Sequence, residues 1–402
     1  MPISFIKVVR MVYRDRSGKY VSCSVTGEQY NAFIPDPLPP NPALQMNEIY
    51  PLLEQANIAI GRLDGAISVP GSVPNPSLFL YMHVRKEAVL SSQIEGTQSS
   101  LSDLLMYENN EIVGNIPTPD IEEVSNYVAA MQHGLERIKG GFPLSLRLIR
   151  EMHKILLQDG RGSSKQPGEF RRSQNWIGGT RPGNAKYVPP PPEIVMDLLG
   201  SLEKFLHDET GKMPTLVKAA LAHVQFESIH PFLDGNGRLG RLLITFILCV
   251  NGIMKEPLLY LSLYFKKNRS LYYDHLQHIR ETGDWEEWVK FFLMGVIETA
   301  NQALSTIRLV LDLFSEDKQK IEKLGKAALT TLIVHHYFQE SPITDSKKIT
   351  RDCKISLPTT NKALQNLLKN GTIKEITGKA RYKIYVYQRY LDILNEGLEP
   401  LS

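Results

Sequence analysis

The chain has 402 residues, enough for two or three domains. Apolar residues make up 42% and charged residues 22%, an ordinary globular composition that excludes long disorder, collagen and a protein that is only coiled coil. The net charge of +3 is too small to indicate nucleic-acid binding by itself.

Cysteine spacing and hydropathy predict a protein of a reducing compartment. The 3 cysteines lie too far apart in sequence for a disulfide framework or a thiolate metal site. The N-terminal segment lacks the apolar core of a signal peptide. The longest nearly apolar stretch, residues 242–250, is far shorter than the ~20 residues that cross a bilayer. We therefore expect a cytoplasmic protein without a membrane partner.

The first 46 residues predict strands and irregular structure. Residues 21–25 alternate weakly between apolar and polar side chains, and several prolines between positions 35 and 42 prevent regular structure. From Asn47 the pattern becomes helical and ends near Gly65, before a loop at 68–76 that is rich in Gly, Pro and Ser. The pattern does not indicate what the N-terminal arm does.

Capping residues predict where the next helices begin and end. Pro76 suits the start of a helix over residues 77–95, where its missing N–H costs nothing, and Gly96 suits the C-cap. Ser100 and Asp103 resemble a capping box that opens a short helix. Apolar periodicity then predicts helices near 121–138, 144–157, 216–226 and 239–250. We expect the chain up to residue 313 to be mainly α, with one hairpin or flap at 175–188.

The C-terminal part differs from the rest in charge. Residues 345–389 contain eleven Lys and Arg but three Asp and Glu, so this segment carries +8 and leaves −5 for the remainder of a chain whose total is +3. Such asymmetry predicts a separate module with an anionic partner. Its pattern has two helices, the second at 357–368, and then strands at 372–376 and 382–387, an order typical of a winged helix.

DNA is the partner that this basic module suggests, through residues 345–389. Lys347, Lys348 and Lys362 could contact a phosphate backbone. A basic face that is merely solvated remains the alternative for the same three side chains.

One segment combines residues that phosphate chemistry requires: His230-Pro-Phe-Leu-Asp234-Gly235-Asn236-Gly237-Arg238-Leu-Gly-Arg241. Gly235 and Gly237 allow a tight turn whose N–H groups point inward as an anion-binding nest. The helix that follows adds its positive N-terminal dipole. Arg238 and Arg241 share a face of that helix, so both can bind phosphate oxygens.

The same segment also offers acid–base and metal chemistry. Asp234 provides the hard carboxylate oxygens that suit Mg²⁺ bridging phosphates. His230, just before the nest, belongs to the residue type that titrates near neutral pH and can act as a general base. A base, a metal ligand, an anion nest and two arginines within one short segment describe a site for polyphosphate transfer.

Two other phosphate motifs do not fit the context. Residues 235–240 match Gly-x-Gly-x-x-Gly, with Glu256 about twenty residues further on, but the preceding segment is helical and no βαβ unit surrounds it. A Gly-x-x-x-x-Gly-Lys-Ser/Thr loop is absent from the sequence. A lone histidine would most simply be a core residue and a lone glycine a turn, but the combination is not explained that way.

The segment matches, at every fixed position, the motif HPFx[D/E]GNGRxxR, and through it the chain resembles the Fic family. Members of that family fold as helical bundles and mostly transfer AMP from ATP to a protein hydroxyl, while some remove AMP again. Residues 91–96 also match the family's inhibitory motif, [S/T]xxxE[G/N], placed before the core as in its N-terminally inhibited class. A winged-helix-like module recurs in bacterial members, so the resemblance covers about the whole chain.

The resemblance implies how the catalytic residues would act. His230 would deprotonate a Ser, Thr or Tyr hydroxyl of a target protein, including this protein itself. Asp234 would bind Mg²⁺. Asn236 and the backbone around it, with Gly235 and Gly237, would hold the α-phosphate of ATP, and pyrophosphate would leave after in-line attack.

The resemblance also implies a contact between the two motifs. Arg238 would bind the β-phosphate, whereas Arg241 would either meet the γ-phosphate or pair with Glu95. Ser91 and Glu95 lie four residues apart, on one face of their helix. If Glu95 occupies Arg241, it inhibits the enzyme, because the γ-phosphate then loses its arginine.

Two further features resemble the family with an ordinary alternative beside each. Tyr272 and Tyr273 resemble the adenine-side tyrosines, although one buried and one exposed aromatic on a helix explains the pair equally well. Residues 175–188 resemble the flap over the active site, which would hold a strand of the target by β-augmentation. An ordinary surface hairpin is the alternative.

The sequence therefore predicts a mainly α protein, a Fic helical bundle with a small β-hairpin flap and a C-terminal winged-helix domain of α+β type. We expect an N-terminal arm and inhibitory helix in residues 1–110, a catalytic core in 111–314 and the winged-helix-like module in 321–402. Two other functions stay open: removal of AMP by hydrolysis, with Glu95 placing water, and a nucleotide-sensing DNA-binding regulator. The target protein and the oligomeric state, a homodimer included, are not set by the sequence.

Overall fold

In a computed structural model the chain is mainly helical, as the sequence predicts. The structure describes residues 16–25, 27–68, 76–108, 119–208, 210, 213–379 and 381–399, so most of the predicted loop at 68–76 lies outside the described residues. The strands and helices are, in chain order, β1 (Gly18–Val25), β2 (Glu28–Pro35), α1 (Tyr50–Ser68), α2 (Pro76–Ile94), α3 (Leu101–Glu108), α4 (Pro119–Lys139), α5 (Leu146–Leu156), α6 (Val195–Leu206), α7 (Thr215–Ile229), α8 (Asn236–Val250), α9 (Ser262–Lys267), α10 (Arg269–Thr282), α11 (Trp285–Glu322), α12 (Ala328–Glu340), β3 (Ile343–Asp345), α13 (Ser346–Asp352), α14 (Leu357–Lys369), β4 (Lys374–Glu375), β5 (Ile384–Val386) and α15 (Gln388–Leu394). Among the described residues, no helix is long and apolar enough to cross a bilayer.

Capping residues set the ends of α2 and α3 as predicted. α2 begins at Pro76, and the chain leaves it through Gly96, whose φ of +99° a side chain would disfavour. At α3, the Asp103 carboxylate accepts from the Ser100 N–H at 2.9 Å, and the Ser100 hydroxyl accepts from the Asp103 N–H at 3.1 Å. This reciprocal capping box fixes the turn that follows α2.

The core of the bundle is built around α7 and α8. Nearly every residue of both helices is buried, which explains why their sequences are apolar on all sides. α8 packs against α2, α4, α5 and α7, so the helix that carries Ser91 and Glu95 lies beside the helix that carries Arg238 and Arg241. The hydrophobic core thereby brings the two sequence motifs together.

The N-terminal arm forms a two-stranded sheet that lies against residues 182–188. β1 and β2 pair antiparallel over their whole length, which confirms the strand predicted at 21–25. The Phe33 N–H donates to the Val188 carbonyl at 2.9 Å, and Arg181 lies 3.1 Å from the Glu28 carboxylate. The arm therefore supports one side of the predicted flap.

The segment at 175–188, predicted as a hairpin or flap, is a loop that a single antiparallel bridge closes. Its ladder is a single bridge between Ile177 and Tyr187. Gly178 and Gly179 adopt φ of +69° and +72°, so the chain leaves the extended conformation directly after the bridge. The side chain of Trp176, just before it, is 39% exposed.

The C-terminal module has an order of elements that is compatible with a winged helix. After α12 come β3, the helices α13 and α14, and the strands β4 and β5, which form an antiparallel sheet in the order β3-β5-β4. The predicted helix at 357–368 is confirmed as α14, whereas the strands β4 and β5 are shorter than predicted. α11 runs without a break into this module, where its buried Asp317 accepts from the Tyr387 hydroxyl at 2.7 Å.

Residues 395–399 return from α15 to α2 and α9. The Lys86 ammonium donates to the Glu396 carbonyl at 2.9 Å, and the Gln93 amide donates to the Leu398 carbonyl at 2.9 Å. Leu398 is 3% exposed, and Gly397 lies against Leu263. We call residues 395–399 the C-terminal strap, because they fasten the C-terminal module to the helix that carries Ser91 and Glu95.

Candidate active site

The motif loop connects two buried helices through two residues in the left-handed region. His230 follows α7 at φ +48°, and Gly235 precedes α8 at φ +77°. No side chain caps the N-terminus of α8, which leaves the first N–H groups of this helix for an anion. Histidine at positive φ is held at a cost of order 1–3 kcal/mol, which the surroundings of the loop must offset.

Arg171 and Asn175 hold the loop in that conformation. Arg171 donates from Nε to the His230 carbonyl at 2.9 Å, and its N–H donates to the Pro231 carbonyl at 2.9 Å. Asn175 donates from Nδ2 to the Phe232 carbonyl at 2.9 Å. Sequence reasoning did not assign either residue to the loop, because Arg171 precedes the predicted flap and Asn175 begins it, far from the motif in sequence.

His230 lies in a positively charged, poorly hydrated environment. Its side chain is 18% exposed, and Nδ1 is buried without a hydrogen-bond partner, 4.0 Å from the Glu227 carboxylate. Burial, together with the charges of Arg171 and Arg280, lowers the pKa of His230 to about 3. The imidazole is therefore neutral at pH 7, the state that a general base requires.

Asp234 is the carboxylate that the cleft offers to a metal ion. Its side chain is 37% exposed, and Oδ1 accepts from the Gly235 N–H at 2.6 Å. Among the described residues, no group of three His, Cys, Asp or Glu could hold a metal ion. A single carboxylate fits Mg²⁺, which takes one or two protein carboxylates and completes its shell with phosphate oxygens and water.

His153 supports the loop from below and was missed by the sequence analysis. The Phe232 ring stacks on the His153 ring with centroids 3.7 Å apart. The Gly168 N–H donates to Nδ1 at 2.8 Å, so the proton is on Nε2, which donates to the Asp234 carbonyl at 3.0 Å. Burial lowers the pKa of His153 to about 4, which keeps this arrangement neutral.

Arg238 is held by an acidic residue that comes from α4. Its Nη1 lies 3.4 Å from Glu123 Oε2, and its Nη2 lies 3.8 Å from Asp234 Oδ1. Glu123 is 1% exposed and also pairs with Arg161 at 2.7 Å. Nothing in the local sequence marks Glu123, because a Glu on an amphipathic helix usually faces solvent.

Arg241 is occupied by the predicted inhibitory motif. Nε donates to the Ser91 hydroxyl at 2.9 Å, and Nη2 donates to the Ser91 carbonyl at 2.9 Å and to Glu95 Oε1 at 2.7 Å. Arg241 is 2% exposed, whereas the Glu95 side chain is 35% exposed. Burial of Glu95 opposes its ionisation, but the charge of Arg241, its hydrogen bond to Glu95 and the charge of Arg238 act together to lower the pKa of Glu95.

The side chain of Asn236 has a different role from the one that the resemblance implied. Oδ1 accepts from the Phe232 N–H at 2.8 Å, Nδ2 donates to the Phe232 carbonyl at 2.8 Å, and the residue is 2% exposed. Both ends of the amide are used to close the loop, so the side chain is not available to the α-phosphate. The backbone N–H groups near Gly237 remain for that role.

Tyr272 and Tyr273 lie in different environments. Tyr272 is 1% exposed, its hydroxyl lies 2.9 Å from His223 Nε2, and its ring stacks on Phe265. The prediction that Tyr272 contacts adenine is therefore wrong; successive helix positions point in different directions, and this one faces the core. Tyr273 is 39% exposed, and burial and the nearby Glu95 raise its pKa to about 12.

Two protein-family models match most of the sequence between residues 50 and 248. Residues 50–136 match the family model described as Fic/DOC family N-terminal, and residues 143–248 match the model described as Fic/DOC family. The chain is 33% identical over 239 residues to Protein adenylyltransferase Fic of Aedes aegypti, across 57% of this chain and 44% of that protein. It is 28% identical over 212 residues to Protein adenylyltransferase fic-1 of Caenorhabditis elegans, across 52% of this chain and 35% of that protein. The chain thus spans less than half the length of these curated relatives.

Solved structures share the fold. A Fic family protein from Desulfovibrio desulfuricans superposes with a TM-score of 0.55 at 20% identity, covering 86% of this chain and 97% of that one. A fragment of Fic-1 from Caenorhabditis elegans superposes with a TM-score of 0.50 at 22% identity, covering 65% of this chain and 75% of that one. These likenesses confirm the predicted fold class.

Proposed function

We propose that this chain, which belongs to the Fic/DOC family, transfers AMP from ATP to a hydroxyl group of a protein and is held back by Glu95. One observation carries the proposal: a neutral His230, the exposed carboxylate of Asp234 and the uncapped start of α8 meet in one loop whose second arginine is occupied by Glu95. The curated relatives named protein adenylyltransferase support the same reaction.

The residues of the loop divide the reaction between them. The triphosphate of ATP would lie at the N-terminus of α8, with the N–H groups near Gly237 on the α-phosphate and Arg238 on the β-phosphate. Asp234 would hold Mg²⁺, which supplies neutralisation of phosphate charge when it is bound. Fixed donors of this kind stabilise negative charge that moves onto pyrophosphate in the transition state.

His230 would act as the general base. Its Nδ1 is buried beside Glu227, which leaves Nε2 to take the proton of the target hydroxyl. The hydroxyl oxygen then forms a bond to the α-phosphorus as the bond from that phosphorus to the bridging oxygen of the β-phosphate breaks. Pyrophosphate leaves, and the target keeps AMP in a phosphodiester linkage.

Glu95 would slow this reaction by withholding Arg241. The γ-phosphate needs a cation, and the contacts of Arg241 to Ser91 and Glu95 already use its Nε and Nη2 groups. ATP could enter, but with its phosphates displaced, and a displaced α-phosphorus loses the in-line geometry of attack. Glu95 would therefore impair the alignment of the ATP phosphates more than the affinity for ATP.

Intact-mass spectrometry after incubation with ATP and MgCl₂ tests the proposal. We expect Glu95→Gly to gain the mass of one or more AMP groups and Glu95→Gly combined with His230→Ala to gain none. His133→Ala, which changes a partly exposed histidine on α4 that pairs with Glu151, is the matched control and should label normally. A Glu95→Gly protein that binds ATP but gains no mass, alone or with cell extract as a source of targets, would refute AMP transfer.

A second candidate function is the removal of AMP from a modified protein. The partly exposed Glu95 carboxylate lies in the cleft, where it could position water for attack on the phosphodiester. A target that already carries AMP distinguishes the two: hydrolysis predicts release of AMP by the unmodified enzyme and loss of that release in Glu95→Gly. The same variant should gain transfer, so the two activities move in opposite directions.

A further inference from the structure

We infer that Arg161 is a third arginine of the ATP site and contacts the β- or γ-phosphate beside Arg238. This inference rests on the proposed function, since it concerns the phosphates of the same nucleotide. Arg161 belongs neither to the motif at 230–241 nor to the inhibitory motif at 91–96. It reaches the site from the loop that follows α5.

One buried carboxylate joins Arg161 to Arg238. Glu123 is 1% exposed, and its Oε1 lies 2.7 Å from Arg161 Nε. Its Oε2 accepts from Arg161 Nη2 at 3.1 Å and from Arg238 Nη1 at 3.4 Å. Since one carboxylate oxygen contacts both guanidinium groups, the two arginines must be neighbours at the edge of the cleft.

The contact with Glu123 leaves much of Arg161 available. A guanidinium has five N–H donors, and the pair with Glu123 uses one of them, on Nη2, in a hydrogen bond, while Nε lies 2.7 Å from Glu123 Oε1 as an ion-pair contact. The side chain is 55% exposed, in contrast to Arg238 at 4%. Within the described part of the chain, Nη1 of Arg161 has no protein partner, so it can donate to an anion without giving up Glu123.

The charges around this pair favour an anion once the site is loaded. Arg161 and Arg238 share the single negative charge of Glu123, which leaves an excess positive charge. Asp234, 3.8 Å from Arg238 Nη2, balances that excess in the empty cleft. When Asp234 is engaged by Mg²⁺, as proposed above, the two arginines face the phosphates with their excess charge unbalanced.

The backbone also brings Arg161 toward the phosphates. It lies between Gly160 and Gly162, which adopt φ of +78° and +93°. A Cβ on residue 162 would lie 2.8 Å from Asp234 Oδ2, closer than side chains normally approach. The loop is therefore in contact with the carboxylate that would bind Mg²⁺, and the side chain next to it is Arg161.

Nucleotide binding with and without the outer phosphates tests the role of Arg161. We would measure dissociation constants for ATP and AMP, each with MgCl₂, by calorimetry on the full chain, for wild type, Arg161→Ala, Arg161→Lys and Arg147→Ala. Arg147 is the matched control, an arginine with a 75% exposed side chain that pairs with Glu151 on α5. The melting temperature of each variant reports whether the fold tolerates the buried Glu123 without its Arg161 partner.

We expect Arg161→Ala to weaken ATP binding about tenfold or more, the loss typical of one charge-assisted hydrogen bond, and to leave AMP binding unchanged. Arg161→Lys should be intermediate, because an ammonium keeps the charge but loses the planar fork. Unchanged ATP affinity in Arg161→Ala, or equal losses for ATP and AMP with a lowered melting temperature, would show that Arg161 only neutralises Glu123. A wild-type protein that binds neither nucleotide would instead refute the proposed function itself, and this inference with it.

Discussion

Glu95 and Gly237 are fitted to each other, because a Cβ on residue 237 would clash with Glu95 Oε1. The same glycine lies in the first turn of α8, where the proposed function requires the backbone to come close to phosphate. Under the proposed function, glycine at this position would serve both the nucleotide and the carboxylate proposed to restrain the enzyme. A side chain here would disturb both at once, so Gly237 variants cannot separate activity from inhibition, whereas Glu95 variants can.

We predict that Glu95→Gly increases AMP transfer and self-labelling by roughly tenfold or more, because Arg241 becomes free to align the γ-phosphate. The thermal melt should change little, since the Glu95 side chain is partly exposed and Ser91 still binds Arg241. Initial rates with radiolabelled ATP check the prediction. Equal rates in mutant and wild type at saturating ATP would show that Glu95 is no brake.

We predict that His230→Ala abolishes transfer while ATP binding survives, because Asp234, the N–H groups of α8 and Arg238 remain in place. Loss of a general base typically costs ~10²–10⁴-fold in rate. Labelling assays in the Glu95→Gly background, together with ATP titrations, measure the two effects separately. Labelling within about twofold of the parent would show that His230 is not the base, because the smallest loss expected on removing a base is about a hundredfold.

We predict that the protein loses stability as the pH falls from about 6.5 toward 4, because buried histidines must stay neutral in the fold. Burial lowers the pKa of His83 to about 4 and of His223 to about 3. An unfolded histidine takes up its proton near pH 6.5, so the stabilisation is complete above that pH and is lost below it. Each such residue costs up to about 2 kcal/mol at pH 5 relative to pH 8.

Urea unfolding at several pH values checks this sign. His83→Gln should flatten the dependence, because the side chain no longer titrates in the unfolded state. His336→Gln changes a histidine on α12 whose side chain is 60% exposed, and it serves as the control. It should leave the pH dependence of the unfolding free energy unchanged. A wild-type protein whose unfolding free energy rises from pH 7 to pH 5 would contradict the prediction.

We predict that the full chain binds duplex DNA weakly and with steep salt dependence, since counterion release dominates contacts to the phosphate backbone. α14 and the segment at 381–385 border a groove of about 840 Å³ with Lys347, Arg381 and Lys383 on its walls. Lys347→Glu with Lys383→Glu should weaken binding and reduce the salt slope. Lys318→Glu, which changes an exposed lysine on α11 that does not border the groove, is the control. Absence of binding at low salt would favour a docking role for the module.

We predict that Leu398→Ala lowers the free energy of unfolding by about 2–4 kcal/mol, because it leaves a cavity where the C-terminal strap meets α2 and α9. Leu329→Ala, at a position that is 73% exposed, should change it by less than about 0.5 kcal/mol. Chemical denaturation of both variants measures the difference. A Leu398→Ala protein as stable as Leu329→Ala would mean that the strap contributes no packing.

The sequence predicted those parts of the site that depend on neighbouring residues. The ends of α2, set by Pro76 and Gly96, and the turn at Gly235 follow from local backbone preferences, so they could be predicted without the fold. The pairing of Glu95 with Arg241 came from the family motif and is present as a 2.7 Å contact.

What the sequence missed are residues that reach the site from far away. Glu123 contacts Arg238 across 115 positions, and Arg171 contacts the His230 carbonyl across 59. No local pattern marks them, because their partners are set by how α4 and the segment between α5 and the flap pack. The error on Tyr272 has a related cause: the register of α10 against the core decides which of two adjacent tyrosines is buried.

During synthesis of the protein, the motif loop is made before the C-terminal strap. The hydrogen bonds from Lys86 and Gln93 to the strap join positions 310 and 305 residues apart. At roughly 5–20 residues per second, a ribosome needs about fifteen seconds to a minute to make the intervening chain. The motif loop is complete well before the strap emerges, so in a nascent chain the residues of this loop exist before the contacts that fasten the helix of Glu95.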